Sequence, residues 1–157
     1  MPDTPVHYIP KGYSSVTPYL IVKGAAQAID FYKKIFGATE VMRMPGPDGR
    51  IGHAELSIGG SHIMLADEHP EMGHQSPLTL GNSPVSVLLY VEDVDSTVNR
   101  ALADGATILK PVADQFYGDR MGFIRDPFGH RWGIATHKED LSEDEMKKRA
   151  KQAMQAA

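Results

Sequence analysis

Gly37-Ala38-Thr39 in the first half of the chain recurs as Gly105-Ala106-Thr107 in the second half. Each copy follows a helix-like segment, and that segment follows an apolar run, Tyr19 to Val22 first and Leu88 to Val91 second. Each copy also precedes Gly-rich turns and a last apolar strand. A repeat of this size is a supersecondary unit too small to bury its own apolar face, so two copies imply one joint core.

Length and composition restrict the class of protein. The chain has 157 residues, of which 41% are hydrophobic, enough for one domain with a sizeable core. Its formal net charge is −4 without a basic stripe, so neither nucleic acid nor an anionic membrane surface is an expected partner. It contains no cysteine and no apolar stretch long enough to span a membrane. These features predict a cytoplasmic protein.

The element order is β-α-β-β-β, twice. The first helix places Ala25, Ala28, Ile29, Tyr32 and Phe36 on one face at helical spacing, and Gly37 is its expected C-cap in the left-handed region. The predicted strands are Val16–Val22, Glu40–Met44, Ile51–Ile58, His62–Asp67, Val85–Val91, Thr107–Leu109, Met121–Arg125 and Arg131–Thr136, and the other helices are Asp95–Asp104 and Glu143 to about Ala156.

This order predicts an α+β fold of two βαβββ units. We expect an N-terminal arm at 1–15, the first unit at 16–68, a connecting loop at 69–84, the second unit at 85–137 and a C-terminal helix at 138–157. The loop is the long irregular segment of the chain, and we interpret it as a crossover and a candidate lid.

Several sequence blocks accompany this order, and they extend from the first strand to the last. They are Thr17-Pro18-Tyr19-Leu20, Phe31-Tyr32, His53-Ala54-Glu55-Leu56, Ile63 to Glu68, Gly118-Asp119-Arg120, Asp126 to Trp132 and Ile134 to His137. Together they resemble the vicinal oxygen chelate superfamily, which includes glyoxalase I, extradiol dioxygenases, fosfomycin resistance proteins and bleomycin-binding proteins. More narrowly, they resemble its PhnB-like branch. The resemblance implies a cup-shaped mixed β-sheet with helices on its outer face, and a homodimer.

In the enzymes of that superfamily, each unit supplies two metal ligands, one from its first strand and one from its fourth. The resemblance carries these positions to Thr17 and Met64 in the first unit and to Ser86 and Gly133 in the second. None of these side chains is a good ligand for a hard or borderline divalent ion. We therefore expect no metal and no other cofactor, and a divalent metal is the alternative.

Strand alternation divides the side chains between two faces. With the four ligand positions facing the cup, Leu20, Val22, Leu65, Trp132 and Ile134 face the helices, and that set is apolar, as a packed face requires. The cup then receives a mixed aromatic and polar set, typical of a pocket. The predicted ligand-binding residues are Tyr19, Met64, Leu88, Tyr90, Arg120 and Arg131.

Each of these residues also has a structural interpretation. Tyr19 and Tyr90 would stack on a planar or cationic ligand, or would simply pack. Arg120 could bind a carboxylate or phosphate, or could fix its loop through Asp126. His53 and Glu55 lie two residues apart on one strand and share a face, so with His62 they are the candidate catalytic residues. They would form a proton-transfer pair, part of a relocated metal site, or an ordinary hydrogen-bonded pair.

Three functions follow from these patterns. The first is a metal-independent small-molecule binding protein of the resistance or sequestration type, with a planar aromatic or cationic ligand. The second is a metal-dependent lyase or dioxygenase that uses His53, Glu55 and His62. The third is a non-catalytic structural or regulatory dimer. The sequence leaves open the ligand, any reaction, the role of the loop at 69–84, and whether the two units pair within one chain or swap.

Overall fold

The computed structural model describes residues 4–157 and confirms the α+β class. The chain divides into two compact units between Gly81 and Asn82, each with a βαβββ order. Unit 1 contains β1 (Tyr19–Val22), α1 (Ala25–Phe36), β2 (Thr39–Pro45), β3 (Ile51–Ile58), β4 (Ser61–Asp67) and α2 (Pro77–Leu80). Unit 2 contains β5 (Ser86–Tyr90), α3 (Val94–Ala103), β6 (Thr107–Asp114), β7 (Asp119–Arg125), β8 (Arg131–His137) and α4 (Glu143–Ala156).

Each unit has one four-stranded mixed sheet. The strand order is β1-β4-β3-β2 in unit 1 and β5-β8-β7-β6 in unit 2. The first and fourth strands of each unit are parallel, and the other pairs are antiparallel. Tyr19 is the partner of Met64 in unit 1, and Leu88 is the partner of Gly133 in unit 2. The repeat found in the sequence is therefore also a repeat of strand register.

A helix covers one face of each sheet. In unit 1 the predicted inward positions of α1 are all buried, together with Phe31 and Ile35. They pack on the sheet, whose helix-facing positions Leu20, Val22 and Leu65 are also buried. In unit 2, α3 buries its apolar stripe on the face that carries Ile124, Trp132 and Ile134. The helix side of each sheet thus has the apolar composition predicted by strand alternation.

Glycine conformation and a buried carboxylate fix two of the turns. Gly37 ends α1 in the left-handed region at φ 66°, as predicted. Asp126 is buried in the turn before β8, where its carboxylate accepts hydrogen bonds from the backbone N–H groups of Phe128 and His130 and from Nε1 of Trp132, each at 2.9 Å. Those three bonds anchor the turn to the unit 2 core.

Some predicted boundaries were wrong. β1 begins at Tyr19 rather than Val16. β6 runs to Asp114 rather than Leu109, because the strand continues through Pro111 with register shifts on either side of Lys110. Proline is tolerated there because β6 is an edge strand.

The segment at 69–84 is more ordered than predicted. A 3₁₀ turn at Pro70–Met72 is closed by a bridge between His69 and His74. The short helix α2 follows, with the Ser76 hydroxyl as its N-cap.

Between residues 4 and 157, no helix is long and apolar enough to cross a membrane.

Candidate functional site

The sheet face of unit 1 opposite α1 carries the first group of predicted site residues. Tyr19 and Glu55 are both partners of Met64 in the register, one on each side, so the three side chains form one row across the sheet. His53 lies two residues before Glu55 on β3 and therefore shares the face. We call Tyr13, Tyr19, His53, Glu55 and His62 the tyrosine–histidine cluster.

A chain of hydrogen bonds connects three members of this cluster. The Nε2 atom of His53 lies 2.7 Å from Oε2 of Glu55, and its Nδ1 atom lies 2.8 Å from the Tyr19 hydroxyl oxygen. A carboxylate only accepts, so Nε2 carries the proton in the neutral imidazole, and Nδ1 accepts from Tyr19. Both ring nitrogens of His53 are therefore occupied by partners within unit 1.

The N-terminal arm completes the cluster. The Tyr13 hydroxyl donates to Oε1 of Glu55, and the Tyr13 ring stacks on the His62 ring with centroids 4.2 Å apart. His62 thus joins the other two candidate catalytic residues through Tyr13 rather than through a direct bond to Glu55. Tyr13 was missed in the sequence because the arm has no periodic pattern, and because the two residues that bond are far apart in the chain.

Hydrogen bonds shift the pKa of Glu55, and burial is the main cause of the shifts at Tyr13 and Tyr19. The bonds from Tyr13 and His53 hold the pKa of Glu55 below its usual value, so the carboxylate is ionised at neutral pH. Burial, followed by the hydrogen bond and the charge of Glu55, raises the pKa of Tyr13 to about 12. Burial and the Glu55 charge also raise the pKa of Tyr19. The cluster is therefore an anion surrounded by protonated phenols.

The corresponding face of unit 2, opposite α3, has different chemistry. Leu88, Gly133 and Phe123 form the row that corresponds to Tyr19, Met64 and Glu55. A side chain at Gly133 would meet Cε of Met121 at 2.7 Å, Cδ1 of Leu88 at 2.8 Å and Cε1 of Phe123 at 3.0 Å. The space above Gly133 is therefore filled by apolar side chains of its neighbours.

A carboxylate also lies on this face. The Tyr90 hydroxyl donates to Oδ2 of the buried Asp119 at 2.7 Å, and Nδ1 of His137 lies 2.7 Å from Oδ1 of the same carboxylate. The hydrogen bond to Asp119 raises the pKa of Tyr90, and the bonds to Asp119 and Asp140 raise the pKa of His137. Asp119 is thus fully engaged inside unit 2.

The two predicted arginines have different positions. Arg131 lies on the face opposite α3, where its row partners are Ser86 and Arg125. Arg120 lies on the α3 side, and its Nε and Nη2 atoms bond both oxygens of Asp95 at 2.8 and 2.9 Å. A third bond, at 3.2 Å, joins it to Asp114. The expected partner Asp126 was therefore wrong, and the ligand-binding role of Arg120 stays a prediction that this geometry does not favour.

A cavity lies in unit 1 away from these residues. It has a volume of about 260 Å³ and opens between the β2–β3 connection and the start of the segment at 69–84. Arg50, His69, Met72 and His74 are among its lining residues. None of the predicted site residues lines this cavity.

The comparison with protein families agrees with the doubled fold. The model of the Glyoxalase/Bleomycin resistance protein/Dioxygenase superfamily matches residues 12–134. The chain belongs to this superfamily. The matched range begins just before Tyr13 and ends within β8, so it includes both helix-opposed sheet faces.

Relatives and solved structures agree with this assignment. An uncharacterised protein of Mycobacterium bovis is 46% identical over 135 residues, covering 84% of this chain and 89% of that protein. The crystal structure of protein PA1353 from Pseudomonas aeruginosa is 25% identical with a TM-score of 0.66, covering 80% of this chain and 99% of that one. A PhnB protein from Bacillus cereus, described as a putative 3-demethylubiquinone-9 3-methyltransferase, is 20% identical with a TM-score of 0.61, covering 78% and 99%.

The residues present do not fit the metal ion that the superfamily resemblance implies. Thr17, Met64, Ser86 and Gly133 stand at the four ligand positions, and the space at Gly133 is filled by apolar side chains. Within the range 4–157, no group of three or more His, Asp or Glu side chains has a geometry that could hold a metal ion. In the relocated set, both ring nitrogens of His53 are bonded to Tyr19 and Glu55.

Proposed function

We propose that this chain is a metal-independent small-molecule binding protein of the superfamily, and that it belongs to the PhnB-like branch. The branch assignment rests on the sequence blocks from Thr17 to His137. The binding function rests on one observation. Large aromatic and aliphatic side chains stand about half exposed on the helix-free sheet faces, with Tyr19 at 47%, Leu88 at 50% and Tyr90 at 55%.

These side chains suit a planar aromatic ligand. Phenol rings held upright on a sheet offer area for stacking at a low cost in side-chain entropy. The hydroxyl groups of both tyrosines are fixed by bonds to His53 and Asp119, so the rings are pre-oriented. Preorganisation of this kind improves affinity because fewer rotamers are lost on binding.

The tyrosine–histidine cluster supports a cationic group as the alternative ligand chemistry. Glu55 is an ionised, mostly buried carboxylate between phenol rings. An organic cation there would gain both charge attraction and contact with aromatic faces. A screen therefore needs planar neutral compounds and planar cations side by side.

The experiment is a thermal-shift screen of such a library on the full chain. A ligand present at 100 times its dissociation constant adds about 2.7 kcal/mol of stability, which corresponds to a shift of roughly 5–10 °C for a protein of this size. Tyr19→Ala should abolish the shift for hits that bind the face of unit 1, and Tyr90→Ala should abolish it for hits that bind the face of unit 2. Tyr8→Ala removes an exposed tyrosine from the arm and serves as the matched control.

A library that produces no stabilisation would contradict the binding function, as would hits that respond equally to Tyr8→Ala and to the two site variants. The homodimer stays a prediction. Sedimentation equilibrium of the full chain tests it, since a monomer at micromolar concentration would contradict it.

A further inference from the structure

The face of unit 2 opposite α3 holds two arginines side by side. Arg125 on β7 and Arg131 on β8 are direct partners in the antiparallel register, and Ser86 is the partner of Arg131 on its other side. Directly opposed residues have Cβ atoms about 5 Å apart and point to the same face. Like charges at that distance destabilise a sheet unless an opposite charge lies near.

No carboxylate of the described chain neutralises this pair. Neither arginine forms an ion pair or a side-chain hydrogen bond with any residue from 4 to 157, and the Nε atom of Arg131 is buried without an acceptor. Four other arginines are paired with carboxylates: Arg43, Arg50, Arg120 and Arg149. The carboxylate of Asp119, which lies on the same face, is already held by Tyr90 and His137.

A third cation lies in the next row. Lys110 on β6 is the register partner of Phe123, and it too has no ion pair within the described part of the chain. Arg125 and Phe123 are two residues apart on β7, so the two cationic rows are adjacent on one face. We call Lys110, Arg125 and Arg131 the cationic group.

An apolar surface lies beside the cationic group. Leu88, Met121 and Phe123 close over Gly133, and Leu88 remains half exposed. A guanidinium group binds carboxylate, sulfonate or phosphate oxygens through paired N–H donors, and it does so more strongly where its environment is partly desolvated. The face therefore offers an apolar surface with an anion-binding end.

We propose that unit 2 binds a planar apolar compound that carries an acidic group, with the acid on Arg125 and Arg131 and the ring system on Leu88 and Phe123. This inference rests on the proposed binding function and specifies its ligand class. It differs from the cationic alternative, which depends on Glu55 of unit 1. Three compounds that share one ring system and carry an anionic, a neutral or a cationic group distinguish these ligand classes.

The test is calorimetric titration of the full chain with 2-naphthoate, 2-naphthamide and 2-(aminomethyl)naphthalene at one fixed salt concentration. We expect 2-naphthoate to bind about tenfold or more tightly than the amide, as hydrogen bonds between charged groups imply. Arg131→Gln and Arg125→Gln should each weaken the binding of 2-naphthoate far more than that of 2-naphthamide, and so remove most of that margin. Lys151→Gln, which removes an exposed positive charge from α4, should change neither affinity.

Circular dichroism shows whether Arg125→Gln and Arg131→Gln fold, and either variant alone suffices if the other does not. The inference is overturned if 2-naphthoate binds no better than the amide, or if both glutamine variants keep the margin. Binding of the amide or the amine alone overturns the inference and leaves the proposed function standing. If none of the three compounds binds, the anionic ligand class is rejected, and the broader thermal-shift screen decides the proposed function separately.

Discussion

Gly133→Ala tests whether the space at the superfamily's fourth-strand ligand position is already filled. The added Cβ atom would lie 2.7 Å from Cε of Met121, 2.8 Å from Cδ1 of Leu88 and 3.0 Å from Cε1 of Phe123. Ordinary carbon–carbon contacts are about 3.5–4.0 Å. All three neighbours must therefore move by several tenths of an ångström to accept one methyl group.

The expected cost follows from two opposing terms. Overpacking a well-packed site costs about 1–3 kcal/mol. Replacing glycine with alanine in a strand stabilises by about 0.5–1 kcal/mol, because the unfolded chain loses freedom. Two of the three obstructing atoms are terminal methyl groups, Cε of Met121 and Cδ1 of Leu88, so some relief is available. We expect a net destabilisation of about 1 kcal/mol.

Urea unfolding followed by the fluorescence of Trp132 measures this quantity. Trp132 is the single tryptophan of the chain, it is 1% exposed, and it lies one residue from Gly133 in β8. Its emission therefore reports directly on the unit that carries the substitution. Gly60→Ala is the matched control for an added methyl group, because no atom lies within 4 Å of its Cβ position. Its free energy of unfolding, measured by circular dichroism, should equal that of the wild type or exceed it slightly.

A compensating substitution makes the test sharper. Leu88→Ala removes one of the obstructing methyl groups and costs little alone, since Leu88 is half exposed. The double variant Gly133→Ala/Leu88→Ala should be more stable than the sum of the single effects predicts. If Gly133→Ala matches Gly60→Ala within about 0.5 kcal/mol and the double variant is additive, the space is not filled and the packing argument fails.

Three further outcomes are expected. Glu55→Gln should lower the pKa of Tyr13 from about 12 toward 10 in an absorbance titration at 295 nm, and an unchanged titration would contradict the bond between Tyr13 and Glu55. The same variant should lose less stability as the pH falls below 4.5, because a carboxylate whose pKa is lowered in the folded state stabilises the fold only while it is ionised. Asp126→Ala should cost about 3–5 kcal/mol in urea unfolding and shift the Trp132 emission, since three donors lose their acceptor; a cost below 1 kcal/mol would refute it. Gly133→Glu should leave zinc and manganese content, measured by elemental mass spectrometry, at the wild-type level, and stoichiometric metal would show that the ligand set can be restored.

The sequence was sufficient for the fold because its periodic signals are local. The repeat located equivalent strands, and the register pairs Tyr19–Met64 and Leu88–Gly133 agree with the equivalence drawn from it. The length of β6 was missed because Pro111 is usually a strand breaker. The short helix α2 had a usable signal, a serine N-cap followed by proline and a closing glycine at Gly81, but loop composition hid it.

The site was only half predictable. Strand alternation alone places His53 and Glu55 on one face, and the structure adds the bond between them. Strand alternation could not predict Tyr13, because its contact with Glu55 depends on the path of an irregular arm. Nor could it indicate that Arg125 opposes Arg131, because that pairing depends on the register of β7 against β8. Local periodicity does not predict contacts that depend on cross-strand register or on the path of a loop.

The two units keep one register while their faces have diverged. The row that holds Tyr19, Met64 and Glu55 in unit 1 holds Leu88, Gly133 and Phe123 in unit 2. A hydroxyl and a carboxylate are thus replaced by two apolar side chains at equivalent places. Because the two faces differ in chemistry, we expect each to recognise a different chemical group, and a variant on one face tests the face of its own unit alone.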